Sequence, residues 1–190
     1  ERDRITDLFK NNGYYYFDKK HIKFHIDSTK STYRVSIDVL IENPSNNEKH
    51  IKYEIDRVVY KEESISDFPT DSLVLNDIII IQPHSSKGAK RVLNNQIKVR
   101  KGSLYSLKNA QLTQRLLSNL NSFKFVNINY QKIDSNKLFA YINTSNMKKY
   151  GLVAEGGVNV NINQEQGLPG PFVSASWISR RFLKGYELFE

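Results

Sequence analysis

Between Tyr150 and Ile162 apolar and polar residues alternate without a break. Leu152, Ala154, Gly156, Val158, Val160 and Ile162 share one parity, and Val153, Glu155, Gly157, Asn159 and Asn161 the other. A strand sends successive side chains to opposite faces, so this stretch has one greasy or small face and one mostly polar face. Two environments satisfy the pattern. A sheet in water turns the greasy face onto a core, whereas a membrane barrel turns it outward to lipid. The strand alone is compatible with both, so the choice rests on what precedes and follows it.

The 190 residues suffice for one or two domains with a sizeable core, and 39% hydrophobic against 25% charged residues is not a disordered composition. There is no cysteine, which excludes a disulfide scaffold and a cysteine-ligated zinc site. The net charge of +8 admits an anionic partner. The basic residues are spread thinly, however. Lys19-Lys20, Arg100-Lys101, Lys148-Lys149 and Arg180-Arg181 are pairs that never grow into a block, so a nucleic-acid interface is not expected. No stretch is long and apolar enough for a transmembrane helix, and no signal peptide opens the chain. A start at Glu1-Arg2-Asp3-Arg4 in place of methionine reads as a piece of a longer protein.

Before that strand, element signals come in a repeated order. Ile5, Leu8 and Phe9 sit at helical spacing, and Asn11-Asn12-Gly13 is a stop signal, since glycine accepts a left-handed turn. Tyr14-Tyr15-Tyr16-Phe17 reads as an apolar anchor. Ile22, Phe24 and Ile26, then Tyr33, Val35, Ile37, Val39 and Ile41, predict a hairpin with one buried face. Asn43 to Asn47 breaks it and reads as a linker. A second unit follows. Ile51, Tyr53, Ile55 and Val58-Val59-Tyr60 form a strand, residues 61–90 hold an inserted strand or hairpin, and Val92 to Ile97 a short helix. Ser106 caps a helix from Leu107 to about Leu120. Val126, Ile128 and Tyr130, then Leu138, Ala140 and Ile142, make a closing hairpin. The first unit thus reads helix, strand, strand, and the second strand, helix, helix, strand, strand, as an internal repeat whose first copy lacks its beginning. After Lys148 helical signals vanish. Phe172 to Ile178 alternates again, and Tyr186-Glu187-Leu188 begins another strand.

No catalytic or metal constellation emerges. His21 and His25 lie in a strand-like stretch without the helical Glu motif of a zinc site. There is no phosphate-binding glycine loop and no nucleophile elbow. Glu155 and Glu62-Glu63 read as solvated carboxylates. Neither an enzyme nor a cofactor is expected.

Several phrases, in their order, resemble the BamA/TamA outer-membrane assembly family. Val99-Arg100-Lys101-Gly102-Ser103-Leu104-Tyr105-Ser106, a helix with Leu116-Leu117-Ser118-Asn119-Leu120, and Asn121-Ser122-Phe123-Lys124-Phe125-Val126 are similar to the last polypeptide-transport-associated (POTRA) repeat of that family. Asn121-Ser122 stands where a glycine is usual. Gly151 to Val158 and Ser179-Arg180-Arg181-Phe182-Leu183-Lys184-Gly185-Tyr186-Glu187-Leu188 resemble its first barrel strands and their periplasmic turn, with Arg181 where asparagine is common. The tail is most similar to the TamA-like branch, including lipoprotein-anchored relatives.

The resemblance implies an α+β chain of POTRA modules followed by antiparallel strands that begin an outer-membrane β-barrel. Residues 1–46 would be the end of one POTRA repeat, 47–147 the last repeat with its insertion, and 148–190 the first barrel strands. It implies a place in the outer membrane of a Gram-negative bacterium with the repeats in the periplasm. The partners implied are unfolded outer-membrane or secreted polypeptides, periplasmic assembly proteins and outer-membrane lipid. Exposed sheet edges accept an extra strand through main-chain hydrogen bonds, which places client capture at Ile22, Phe24 and Ile26 and at Val126, Ile128 and Tyr130. Leu152, Ala154, Gly156, Gly157, Val158 and Val160 would form the strand bordering a lateral seam, loosened by its glycines. The competing reading is a water-soluble periplasmic or surface interaction module without a membrane barrel.

Overall fold

The alternating runs assemble into three separate sheets in the computed structural model, which describes residues 1–27, 35–44, 48–63, 70–83, 90–159, 170–180 and 188–189. Helix α1, Arg2–Asn11, ends where Gly13 takes φ +100°, as the stop signal requires. A 3₁₀ turn at Lys19–His21, opened by the Asp18 carboxylate accepting from the Lys20 amide, leads into β1, Ile22–Asp27. Strand β1 pairs antiparallel with β2, Ser36–Ile41, from Ile22↔Ile41 to Asp27↔Ser36.

This hairpin corrects one expectation. Only Ile22 is buried, whereas Ile26 and Ile37 are 64% and 59% exposed. No third strand joins the pair among the described residues, so the apolar alternation is present without a layer to bury it. Tyr33 and the turn residues Ser28 to Lys30 lie outside the described residues.

The second unit is a mixed five-stranded sheet with order β4-β5-β3-β7-β6. Strand β3 is Glu54–Glu63, β4 Thr70–Leu75, β5 Ile78–Pro83, β6 Phe123–Asp134 and β7 Lys137–Asn146. Helices α2, Lys90–Gln96, and α3, Leu107–Ser118, supply Leu93, Ala110 and Leu117 to the core. They meet Val58 and Tyr60 of β3, Ile78 and Ile80 of β5, Leu138, Ala140 and Ile142 of β7, and Phe123 and Val126 of β6. An irregularity between Ile55 and Arg57 shifts the parity of β3, which explains why Ile55 and Val58 are both buried.

The insertion is a hairpin. Asn76 and Asp77 both have positive φ, 45° and 67°, so a two-residue turn of the type matched to strand twist joins Leu75 to Ile78. Strand β5 then pairs parallel with β3 from Val58↔Ile78 to Lys61↔Ile81. Strand β7 also runs parallel to β3, on its other side. The insertion therefore occupies the side of β3 that a three-stranded module would leave open. Its outer strand, β4, becomes one sheet edge, and β6 is the other.

Asn121 explains how this chain dispenses with a glycine after α3. It takes φ +52°, the left-handed conformation that asparagine tolerates better than other non-glycine residues. Strands β8, Tyr150–Asn159, and β9, Gly170–Arg180, form a long antiparallel ribbon, to which β10, Leu188–Phe189, adds at the β9 side. These three strands make an open sheet, not a closed barrel.

Candidate functional site

The β6 edge is built from the helix and core beneath it. Val126 is buried, and Ile128 and Tyr130 are half-buried against the same cluster. These side chains anchor the strand, and among the described residues no strand pairs with its main chain on the side away from β7. One acceptor is taken from within the molecule, because the Gln114 side-chain amide of α3 donates to the Val126 carbonyl at 3.0 Å. The opposing residues Asn127, Asn129 and Gln131 are exposed. On the first hairpin, Ile22 is buried, Phe24 is half-buried and Ile26 is exposed, and Arg2 lies over the Phe24 ring at 5.4 Å. The structure does not bring the two proposed edges together into one sheet.

A tyrosine-rich joint lies between the modules. The Tyr15 ring meets Tyr53, Tyr105 and Tyr130 with centroids 6.4, 4.8 and 5.5 Å away. Gly13 O accepts from the Tyr53 amide at 2.8 Å. Asn11 Oδ1 accepts from the Lys108 amide at 2.7 Å, so the first turn of α3 is capped by the other module as well as by its own Ser106. Burial, with Tyr15 beside it, pushes the Tyr105 hydroxyl up to about 12. Burial chiefly raises Tyr130 and Tyr15 too, with smaller contributions from neighbouring tyrosines, so the cluster stays uncharged at neutral pH. Phe17 stacks on Phe9 at 4.2 Å, which makes the tyrosine–phenylalanine run the apolar anchor expected of it.

The histidines behave differently from their spacing. His21 meets His50 with ring centroids 4.9 Å apart, rather than pairing with His25. His50 Nε2 donates to the Glu42 carbonyl at 2.9 Å, tying the linker back to the first hairpin. Burial lowers the His21 pKa, and His50 and Lys20 nearby lower it further. Among the described residues no group of three or more His, Cys, Asp and Glu side chains gathers to hold a metal ion.

The β8–β9 ribbon sorts its side chains by face. Leu152 faces Trp177, Ala154 faces Ala175, Gly156 faces Val173 and Val158 faces Pro171. Leu152 is 75% and Val173 86% exposed, so among the described residues this apolar face is left uncovered. Val153, Glu155 and Gly157, opposite Ser176, Ser174 and Phe172, make up the other face. Strand β8 is the free edge of its sheet among the described residues, whereas Val160 lies outside them. At one end Tyr150 and Trp177 stack at 5.9 Å with an 18° interplanar angle. Lys149 stands over the Tyr150 ring, and the Arg180 guanidinium donates to the Lys148 carbonyl. Among the described residues no helix is long and apolar enough to cross a membrane.

The two glycines of β8 are not equivalent. A Cβ on Gly156 would meet only a backbone oxygen at 3.7 Å, but one on Gly157 would fall 2.7 Å from Phe172 Cε1. The Phe172 ring thus lies across Gly157 as a cross-strand pair. Gly156→Ala should leave the ribbon unharmed, whereas Gly157→Ala should displace the ring and leave the ribbon less stable than Gly156→Ala by about 0.5–1 kcal/mol. Thermal melts of the two variants, with the ring-current shift on the Gly157 α-protons, check this. Equal stabilities would show that the ring contributes nothing there.

No protein-family model matches the sequence, and no curated protein matches it. A solved structure does share its fold. The chain aligns with the crystal structure of BamA from Haemophilus ducreyi lacking POTRA domains 1-3, with TM-score 0.55 and 9% identity, over 96% of this chain and 28% of that one. It therefore spans less than a third of the length of that structure. Haemophilus influenzae BamA POTRA3-5 aligns at 11% identity over 76% of this chain and 78% of its own, with TM-score 0.29. POTRA1-3 of the periplasmic domain of Omp85 from Anabaena aligns at 8% identity over 77% and 80%, with TM-score 0.31. At 9% identity the likeness to the first of these is one of fold alone, and by fold this chain is similar to that BamA structure, with a POTRA-like α+β domain.

Proposed function

We propose that this chain is the periplasmic POTRA region and the early barrel strands of an outer-membrane protein assembly or translocation factor. In this reading residues 1–46 end one repeat, 47–147 form the last repeat, and 148–190 enter the membrane. The β6 edge takes up client or partner polypeptides by strand addition, without nucleotide, and passes them toward a seam bordered by β8. The observation that carries it is the pairing of an open β6 edge with a ribbon whose apolar face is exposed along its length. The aromatic pair Tyr150–Trp177 with Lys148, Lys149 and Arg180 behind it is the arrangement suited to a membrane–water boundary. Main-chain pairing reads little of a client's sequence, which suits many clients.

Strand addition makes a test of its own. A synthetic alternating peptide should protect β6 amides from hydrogen exchange, and N-methylation of its alternate residues on the pairing side should abolish that protection. Methylation of the other parity should leave it intact. Protection indifferent to methylation would refute strand addition. A chain that stays monomeric in water without detergent and ignores lipid vesicles would instead be the soluble interaction module.

A further inference from the structure

The joint between the modules encloses a cleft of about 560 Å³ whose wall the proposed function does not use. Tyr16 and Lys20 come from the first module, Pro44 from the linker, and Lys49, Tyr53 and Lys132 from the second. The Lys132 ammonium stands 5.9 Å from the Tyr53 ring centre, and Tyr16 meets Tyr53 edge-on at 5.3 Å. Among the described residues no carboxylate forms an ion pair with Lys20, Lys49 or Lys132, although Glu48 also lines the cleft. His21 lines it too, its pKa lowered chiefly by burial. Tyr53 is buried, so the ring open to a ligand is that of Tyr16, 57% exposed, and cations close to it favour a ligand that carries carboxylates next to an aromatic ring.

Lys132 connects this cleft to the edge strand. It belongs to β6, close to that strand's C-terminal end. A polypeptide laid along β6 past Tyr130 would reach Lys132, the β6 residue that lines the cleft. We infer that the cleft receives an acidic, aromatic segment of a polypeptide whose neighbouring residues are paired along β6. The inference rests on the capture reading of that edge. It adds a sequence preference to an interaction that main-chain pairing leaves nearly blind. Because the cleft draws on both modules and their linker, a bound segment also braces the joint.

The test uses the full chain in detergent and a fluorescent alternating peptide extended by Glu-Phe-Glu, Ser-Ser-Ser or Lys-Phe-Lys. Anisotropy measures affinity, and hydrogen exchange follows the β6 amides. The acidic extension should bind about tenfold more tightly than the neutral one, and the advantage should shrink with salt. Lys20→Gln and Lys132→Gln, each checked for native circular dichroism, should each remove part of that advantage while β6 protection persists. Lys49→Gln serves as a second variant should either be misfolded. Equal affinity for all three extensions, with β6 protected, overturns the cleft inference and leaves the capture edge standing. Shifts of Tyr16 and Lys132 resonances by Glu-Phe-Glu alone, with no β6 protection by any peptide, overturn the edge reading instead. Shifts of those resonances by phosphatidylglycerol vesicles but by no peptide would assign the cleft to lipid and overturn the inference.

Discussion

Ala154→Arg should abolish stable membrane association of the full-length protein, whereas Ser174→Arg should leave it nearly intact. Ala154 lies midway along the β8–β9 ladder and faces Ala175, on the face with exposed Leu152, Val158 and Val173. In a lipid-facing position near the bilayer midplane an arginine costs about 2–4 kcal/mol, equivalent to roughly a thirtyfold to thousandfold loss of inserted protein. Ser174 pairs with Glu155 on the opposite face, where a cation finds a carboxylate across the ladder and no lipid. Flotation with lipid vesicles reads the difference directly. Equal flotation of the two variants would place the apolar face in water or against protein, and the barrel reading would fail.

Tyr15→Ala should uncouple the two modules. The ring it removes touches Tyr16, Tyr53, Tyr105 and Tyr130, and its loss leaves a gap beside two of the most buried hydroxyls in the joint. Full burial of an aromatic ring sets the ceiling at about 3–5 kcal/mol, and the half-buried position of Tyr15 brings the expected cost to about 2–3 kcal/mol. Tyr15→Phe keeps the ring contacts and should cost less than 1 kcal/mol. Limited proteolysis between Pro44 and Ile51, with thermal melts, separates these outcomes. An alanine variant as resistant as the wild type would show that the tyrosines fill space without holding the joint.

The sequence carried the strands and helices of the second module because each has a local cause. Ser106 as a cap, the periodic leucines of α3 and the alternation of β6 and β7 all act within a few residues. Pairing across long separations left no such trace. That β5 joins β3 in parallel follows from nothing near Ile78, since parallel pairing needs a crossover and has no turn signature. The turn at Asn76-Asp77 lacks the glycine that announces such turns, so the insertion read only as a strand or a hairpin. The first hairpin misled for the opposite reason. Its alternation is genuine, but burial requires a second layer, and only Ile22 is buried. Among the site residues, Gly156 and Gly157 read as equivalent until the Phe172 ring distinguished them. Thr113 stands among the leucines of α3 with no signal of its own in the sequence. It is fully buried, and its hydroxyl accepts from the Lys98 amide while donating to the Asn109 carbonyl. Lys132 and Tyr53 gave no hint of a shared cleft, because the residues lining it come from three separate stretches.

The cap that Asn11 places on α3 sets an order of events. The acceptor and the Lys108 amide are 97 residues apart in the chain, so the bond forms only once a long loop has closed. During synthesis the acceptor emerges long before the amide it will bind. The helix starts on Ser106 alone, and docking adds the second bond afterwards, a contribution of about 0.5–2 kcal/mol. The bond is therefore a late-closing part of the joint, added to the tyrosine contacts and to the Tyr53–Gly13 backbone bond beside it. Bending between the modules must break that bond together with the contacts Tyr15 makes on Tyr53, Tyr105 and Tyr130.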